Sequence, residues 1–284
     1  MKVQEINRNI NSKKAGRNKK HNKKRLLWLK FLLAIIAFLS ALILLALSPL
    51  FNINRIDVEG NQHYKSEDIA SAANIVIGSN GFKTIGNDVK SLLLLRDGKA
   101  EKNILDSHPY IKEVKVKFNL PDKILISIWE RTPVCLVPYH GTYLILDREG
   151  YVLDASDNVD KNGLPQVKGF KFDRYELGKE LKVDNPDKFD ALFKVIDTVE
   201  SSDKESSFKM AGIINYIDVS DLSKVYLLLD SRIMVNLGGL DDLNYKVTFL
   251  KQIYQMNLKK SDKGLLDFTM GKNPRFMPEN EHGN

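Results

Sequence analysis

The sequence predicts an α+β protein with a single N-terminal transmembrane helix, a small domain of order β-α-α-β-β, and then a strand-rich α+β domain. Three observations carry that class. The run from Phe31 to Leu50 holds no charged residue. Beyond it, apolar residues alternate at period two in several short runs and recur at helical spacing in two longer ones. Turn and breaker residues separate these runs.

The span comes first. Only Ser40, Ser48 and Pro49 interrupt Phe31–Leu50, and a helix of about 20 apolar residues crosses a hydrocarbon core ~30 Å thick. A cleaved signal would end in small residues, but Leu44, Leu45, Leu47, Leu50 and Phe51 fill that region, so the segment is expected to remain as an anchor. A core helix of a soluble domain would show a polar face, and this one is apolar all round. Residues 1–30 hold eight lysines and three arginines against the single acid Glu5, while the remainder carries slightly more acids than bases. The positive-inside rule then makes 1–30 a cytoplasmic tail, 31–50 the membrane contact, and everything after it extracytoplasmic. Read alone, "NSKKAGRNKKHNKKR" would suit phosphates; beside a spanning helix, topology and anionic lipid account for it, and no nucleic-acid partner is expected.

The small domain is expected over 51–130. Ile53, Ile56 and Val58 alternate with polar residues before the turn at Glu59-Gly60-Asn61, which predicts a short strand. Ser66, followed by Glu67 and Asp68, marks a helix start for 66–73 with an acidic first turn. Residues 87–95 and 100–107 carry helix formers on either side of the breaker Asp97-Gly98 and predict two short helices. "IKEVKVKFN" and "KILISIWE", joined by Leu120-Pro121-Asp122, alternate as a hairpin. Such a unit packs its helices on one face of a three-stranded sheet.

The strand-rich domain is expected over 131–270. Tyr143–Leu146, the turn Arg148-Glu149-Gly150 and Tyr151–Leu153 form a hairpin with glycine where permissive backbone angles are needed. Asn185 and Pro186 open a helix whose core stripe is Phe189, Leu192, Phe193, Ile196 and Val199. Ile213–Val219, Lys224–Leu229 and Ile233–Leu237 read as strands. Asp241 or Asp242 is expected to cap a second helix that buries Leu243, Val247, Leu250, Ile253 and Tyr254. Gly264–Met270 reads as the last strand, and 271–284, with two prolines and two glycines, as a flexible tail.

The residues that could do chemistry do not assemble into a motif. The five histidines, at 21, 63, 108, 140 and 282, lack metal-ligand spacing, and neither H-E-x-x-H, G-x-S-x-G nor a P-loop occurs. Ser201 with Lys204 and Ser206 with Lys209 match S-x-x-K, but both lie in the polar run "ESSDKESSFK" without S-D-N or K-T-G. "NVDKNG" at 158–163 faintly suggests a calcium loop, yet Gly169 stands where the bidentate glutamate belongs. The lone Cys135 forms no internal disulfide and sits in an apolar run, as a small buried hydrophobe would. No catalytic residue, cofactor or metal is expected. A disulfide-free exterior fits a bacterial envelope protein.

"FNINRIDVEGNQHYKSEDI", Asn80, Phe82 and "HPYIKEVKVKFNLPDKILISIWERTPV" resemble the POTRA domain of the bacterial division proteins FtsQ and DivIB. The resemblance continues through "YLILDREGYVL", "LPQVKG", "IMVNLGG", "YKVTFLKQI" and "GLLDFTMGKNPRFMP"; Thr84–Gly98 departs from it as extra helical material. It implies a non-enzymatic scaffold at the division septum. The partners it implies are single-pass division proteins of the FtsL and FtsB/DivIC type, and septal peptidoglycan synthases. It also places a partner contact toward the end of the second domain. Leu265, Leu266, Asp267, Phe268, Thr269 and Met270 are the candidate site, as an edge strand open to strand addition. Leu266, Phe268 and Met270 would share one face and Leu265, Asp267 and Thr269 the other. Two other classes fit less well: a membrane-anchored cell-wall transferase of the same topology, and a polypeptide-transport component, which would need barrel strands after Asp267.

Overall fold

The computed structural model describes residues 25–86, 88–157, 163–204, 206–271 and 273–279. The basic tail up to residue 24, Asn87, most of the 158–163 loop and residues 280–284 therefore lie outside the described residues. Packing separates two compact units, one from Met1–Val58, Asn74–Ala100 and Lys115–Ile126, the other from Glu59–Ala73, Glu101–Val114 and Ser127–Asn284. The class is α+β, with one N-terminal apolar helix, a small sheet with helices and a larger mixed sheet.

In the first unit α1, Arg25–Ala46, is a helix of 22 residues, long and apolar enough to cross a membrane. A 3-10 turn at Pro49–Phe51 ends it. Strands β1 (Arg55–Glu59), β2 (Ile111–Asn119) and β3 (Lys123–Glu130) form a sheet of order β1-β3-β2, of which 55–58, 115–119 and 123–126 fall in this unit. Alternation in β2 and β3 buries Val116, Phe118, Ile124 and Ile126 on one face. Helix α3, Val89–Leu94, starts at Asp88, whose carboxylate accepts from Ser91 N–H at 2.9 Å. The Asp97-Gly98 pair separates α3 from α4 (Gly98–Ser107), as its breaker character predicts, and also caps the second helix, because the Asp97 carboxylate accepts from Lys99 and Ala100 N–H.

In the second unit α2 (Ser66–Ala72) and most of α4 (Gly98–Ser107) accompany a nine-stranded sheet. Lys65, not Ser66, occupies the position before α2, and no side chain caps it. The strands are β4 (Pro133–Tyr139), β5 (Thr142–Asp147), β6 (Val152–Ser156), β7 (Gln166–Lys168), β8 (Ile214–Asp218), β9 (Val225–Leu229), β10 (Ile233–Gly238), β11 (Gly264–Asp267) and β12 (Arg275–Pro278). Their order is β12-β11-β10-β9-β8-β7-β4-β5-β6. Helices α5 (Asp187–Lys204) and α6 (Leu243–Met256) bury Leu192, Val195, Ile196 and Val199, and Leu243, Val247 and Leu250, in the main core. Asn185 opens α5 by accepting from Asp187 N–H at 3.0 Å. At α6 Asp242 holds φ of 51° and its side chain caps nothing, so the carboxylate cap expected there is missing.

Two further departures lie near the end of the chain. The last predicted strand stops at Asp267 instead of Met270, and where composition suggests a tail, Arg275–Pro278 adds β12 to the sheet. The cause of the first is local: the Asp267 carboxylate accepts from Thr269 N–H and Oγ1 at 2.7 and 2.6 Å, which turns the chain. Cys135 is fully buried in the main core, and burial pushes its thiol pKa up to about 12.

Candidate partner-binding surface

Each strand of the large sheet has one face on the helices and one away from them, and the two halves of the sheet treat the second face differently. Behind β4 to β6, Leu136, Ile145 and Leu153 form a separate small core with Tyr110, covered by Tyr64, Tyr143 and Tyr151. Over β8 to β12 the second face stays open among the described residues. In register across it stand Tyr216, Leu228, Met234, Leu265 and Met277, one from each strand. All five are half-buried, while their neighbours Ile217, Leu227, Val235 and Leu266 lie in the main core. Leu228, Met234, Leu265 and Met277 line a groove of about 550 Å³.

The six candidate residues separate accordingly. Leu265 is on the open face, between Met234 and Met277. Leu266 is 1% exposed and Phe268 packs on the same core. Met270, beyond the end of β11, is exposed, as is Thr269. Asp267 is buried on the open-face side, where it accepts from Asn236 Nδ2 at 3.2 Å. Burial works to raise its pKa, but the hydrogen bonds from Thr269 and Asn236 outweigh it and hold the carboxyl below the usual carboxylate range.

Strand β11 is not an edge. It runs parallel to β10 and antiparallel to β12, so both of its backbone sides are paired and strand addition cannot use it directly. The expected edge moves one strand outward, to β12. Glu279 N–H donates to Lys263 O at 2.9 Å, which makes the odd-numbered residues of β12 the ones bonded to β11. Phe276 N–H and C=O then point outward. Pro274 and Pro278 occupy the flanking outward positions and supply carbonyls but no N–H. Gly264 makes the pairing possible: at φ 152° a Cβ there would lie 2.2 Å from Met277 O.

The start of β10 is tied to the loop before β11. Arg232 donates to Lys259 O and Asp262 O at 3.0 and 2.8 Å and to Tyr254 Oη at 3.1 Å, and Tyr254 Oη in turn donates to Asp230. Below the sheet, Lys251 Nζ reaches Asp203 Oδ1 at 2.6 Å and Ser202 O at 2.9 Å, and Asp203 also accepts from Met210 and Ala211 N–H. The S-x-x-K matches do not form a nucleophile pair: Lys209 Nζ donates to Asp203 O, and Ser206 Oγ accepts from Phe208 N–H. Ser201 is exposed on α5. Sequence reasoning missed Leu228, Met234, Phe276 and Met277. The run "VYLLL" is apolar throughout and "IMVNLG" nearly so, and nothing local says which face the helices leave bare.

The POTRA domain model of FtsQ type matches residues 51–131. The chain is similar to the cell division protein DivIB of Clostridium botulinum, with 28% identity over 262 residues that cover 92% of this chain and 95% of that protein. It is also similar to the cell division protein FtsQ of Syntrophotalea carbinolica, with 26% identity over 231 residues, 78% of this chain and 71% of that one. The major extracytoplasmic domain of DivIB from Geobacillus stearothermophilus aligns at 14% identity with a TM-score of 0.29, covering 46% of this chain and 99% of that one.

Proposed function

This chain belongs to the FtsQ/DivIB family of cell-division proteins and carries the FtsQ-type POTRA domain, and from that premise we propose that it is a non-enzymatic scaffold of the division machinery. It is a type II membrane protein: 1–30 is the cytoplasmic tail, 31–50 the span, 51–130 the POTRA domain and 131–270 the second domain, whose sheet we extend to Pro278. It acts outside the membrane, at the septum. Its partners are single-pass division proteins of the FtsL and FtsB/DivIC type, through which it positions septal peptidoglycan synthesis.

The observation that carries the binding role is the open row Tyr216, Leu228, Met234, Leu265 and Met277 beside the β12 edge. An apolar face with a free strand edge is where an extended or helical segment docks, the backbone giving affinity and alternate side chains specificity. Within the candidate set, Leu265 and Met270 meet the partner directly, whereas Leu266, Asp267, Phe268 and Thr269 hold the strand and its turn.

The test is photo-crosslinking from positions 265, 276 and 277 in dividing cells, with position 266 as the buried control and captured proteins identified by mass spectrometry. Capture of a single-pass division protein from the open positions and not from 266 supports the scaffold. Localised, folded protein that captures nothing from those positions overturns this surface. Turnover of a lipid-linked wall precursor by the purified full chain would favour the transferase reading instead.

A further inference from the structure

Helix α3 is short, apolar and unexplained by the packing around it. Its sequence is VKSLLL, none of its side chains is buried, and Val89, Leu92, Leu93 and Leu94 are 75, 57, 78 and 45% exposed. Val89, Leu92 and Leu93 fall at i, i+3 and i+4 and form one stripe. A helix of six residues does not persist in water on its own propensity and needs a surface to receive its apolar face. In the same unit Val76 and Ile77 are 68 and 61% exposed.

Both features are fastened to the end of α1. Asn80 Nδ2 donates to Ala46 O, the last carbonyl of that helix, at 2.9 Å and to Ser48 O, two residues beyond it, at 3.3 Å. Ile53 N–H donates to Ser79 O at 2.9 Å and Gly78 N–H to Ile53 O at 2.7 Å, so Val76 and Ile77 immediately precede the exit point. From there a ladder of rings leads toward α3. Phe51 meets Phe82 edge-on at 5.1 Å, and Phe82 meets Phe118 at 5.4 Å. Gly81 packs on the Phe118 ring so closely that a Cβ would lie 2.3 Å from it. Phe118 N–H then donates to Leu95 O, the C-cap of α3, at 2.8 Å.

Helix α1 spans roughly 33 Å at 1.5 Å per residue, about one hydrocarbon thickness, so its last carbonyls emerge at the interface. Aromatic rings are at home at that depth, and Lys90, on α3 itself, is exposed at the flank of the apolar stripe, where lipid phosphates would meet it. We propose that Val76, Ile77 and the Val89, Leu92 and Leu93 stripe of α3 insert into the outer leaflet of the membrane that α1 crosses. This second, interfacial contact holds the unit down on the bilayer instead of leaving it hinged on the span alone. It rests on the reading of α1 as a membrane anchor.

The experiment uses the full chain in nanodiscs of three parts phosphatidylcholine to one part phosphatidylglycerol. Leu93→Cys, Lys90→Cys and Leu39→Cys are labelled separately with an NBD fluorophore; the native Cys135 is buried and does not compete. Blue-shifted emission at 93, quenched severalfold more strongly by nitroxide lipids than at 90, is the expected result. Lipid contact at 39 with aqueous emission at 93 overturns the proposal and leaves the anchor intact. Aqueous emission at both 39 and 93 removes the anchor as well. A blue shift at 93 without lipid quenching also overturns it, because protein, such as a second copy, then covers α3.

Discussion

Substituting Gly264 by alanine should peel β12 from the sheet while the rest of the domain stays folded. The added Cβ would sit 2.2 Å from Met277 O and 2.9 Å from Pro278 Cα, where ordinary contact begins at 3.4 Å, and φ of 152° is already unfavourable for an L side chain. Strain of that kind costs roughly 1–3 kcal/mol before the overlap is counted. The alternative is to break the pairs 263/279, 265/277 and 267/275, whose hydrogen bonds are each worth about 1 kcal/mol net. Those pairs hold about five bonds, so detachment costs about 5 kcal/mol, still less than the strain together with a backbone overlap that deep. Local opening then becomes more frequent by at least about a hundredfold. Hydrogen exchange in the full chain reads this directly. The Leu265, Met277 and Glu279 amides should lose that much protection, while Phe268 N–H, which donates to Asn236 O on the β10 side, keeps its own. Capture of the partner from position 276 should fall in parallel. Unchanged protection at 265 and 277 would refute the steric reasoning, and equal loss at 265 and 268 would show that β10 to β12 unfold as one block.

Other perturbations test the supports of the same surface. Phe268→Pro removes the bond to Asn236 O and should lower stability by about 3 kcal/mol, read as a reduced melting temperature; a variant as stable as the parent with full partner capture would detach this position from the site. Lys251→Ala strips the counter-charge from buried Asp203 and should cost about 3 kcal/mol at pH 7, the low end for a broken buried pair because Met210 and Ala211 N–H remain. Asp203 is raised by burial but held below its ordinary pKa by the Ala211, Lys251 and Met210 hydrogen bonds. Its stabilisation is therefore complete above an unfolded pKa of about 3.9 and disappears as pH falls through the lower folded value. Urea titrations of both proteins at pH 7 and pH 3 should show the Lys251→Ala penalty shrinking in acid. Finally, the Cys135 thiol, pushed up to about 12, should resist a maleimide in native protein and react at once in urea; native labelling at pH 8 would contradict its burial.

Which elements could be read from the sequence follows from how many faces each one buries. Strands β2 and β3 bury one face each, so their apolar residues alternate and the pattern is plain. Helices α5 and α6 show a stripe for the same reason. Strand β4 shows no alternation. It sends Cys135 and Val137 to the main core and Leu136 to the smaller one, and its two prolines suppress the strand signal further. Alternation in β11 correctly opposes Leu265 to Leu266. What it could not supply is the partner on each side, since β10 and β12 join it through long-range pairing. The four residues of β12, bracketed by Pro274 and Pro278, look like a tail until the sheet that receives them exists.

Those prolines bear on how a partner could be held. An unprotected edge strand invites pairing with any extended chain, and proline is one of the residues that blocks it. Here the block leaves a single outward N–H, that of Phe276, between two outward positions that offer carbonyls only. A partner strand added to β12 would gain few backbone bonds, too few to separate one sequence from another. Discrimination must then come from side chains, and the open row from Tyr216 to Met277 is the surface placed to supply it. Met234 and Met277 are unbranched and adapt to the shape they meet. Placing Asp at Leu265 should accordingly weaken capture more than removing the Phe276 N–H by N-methylation. The reverse order would mean that the backbone edge, and not the apolar row, selects the partner.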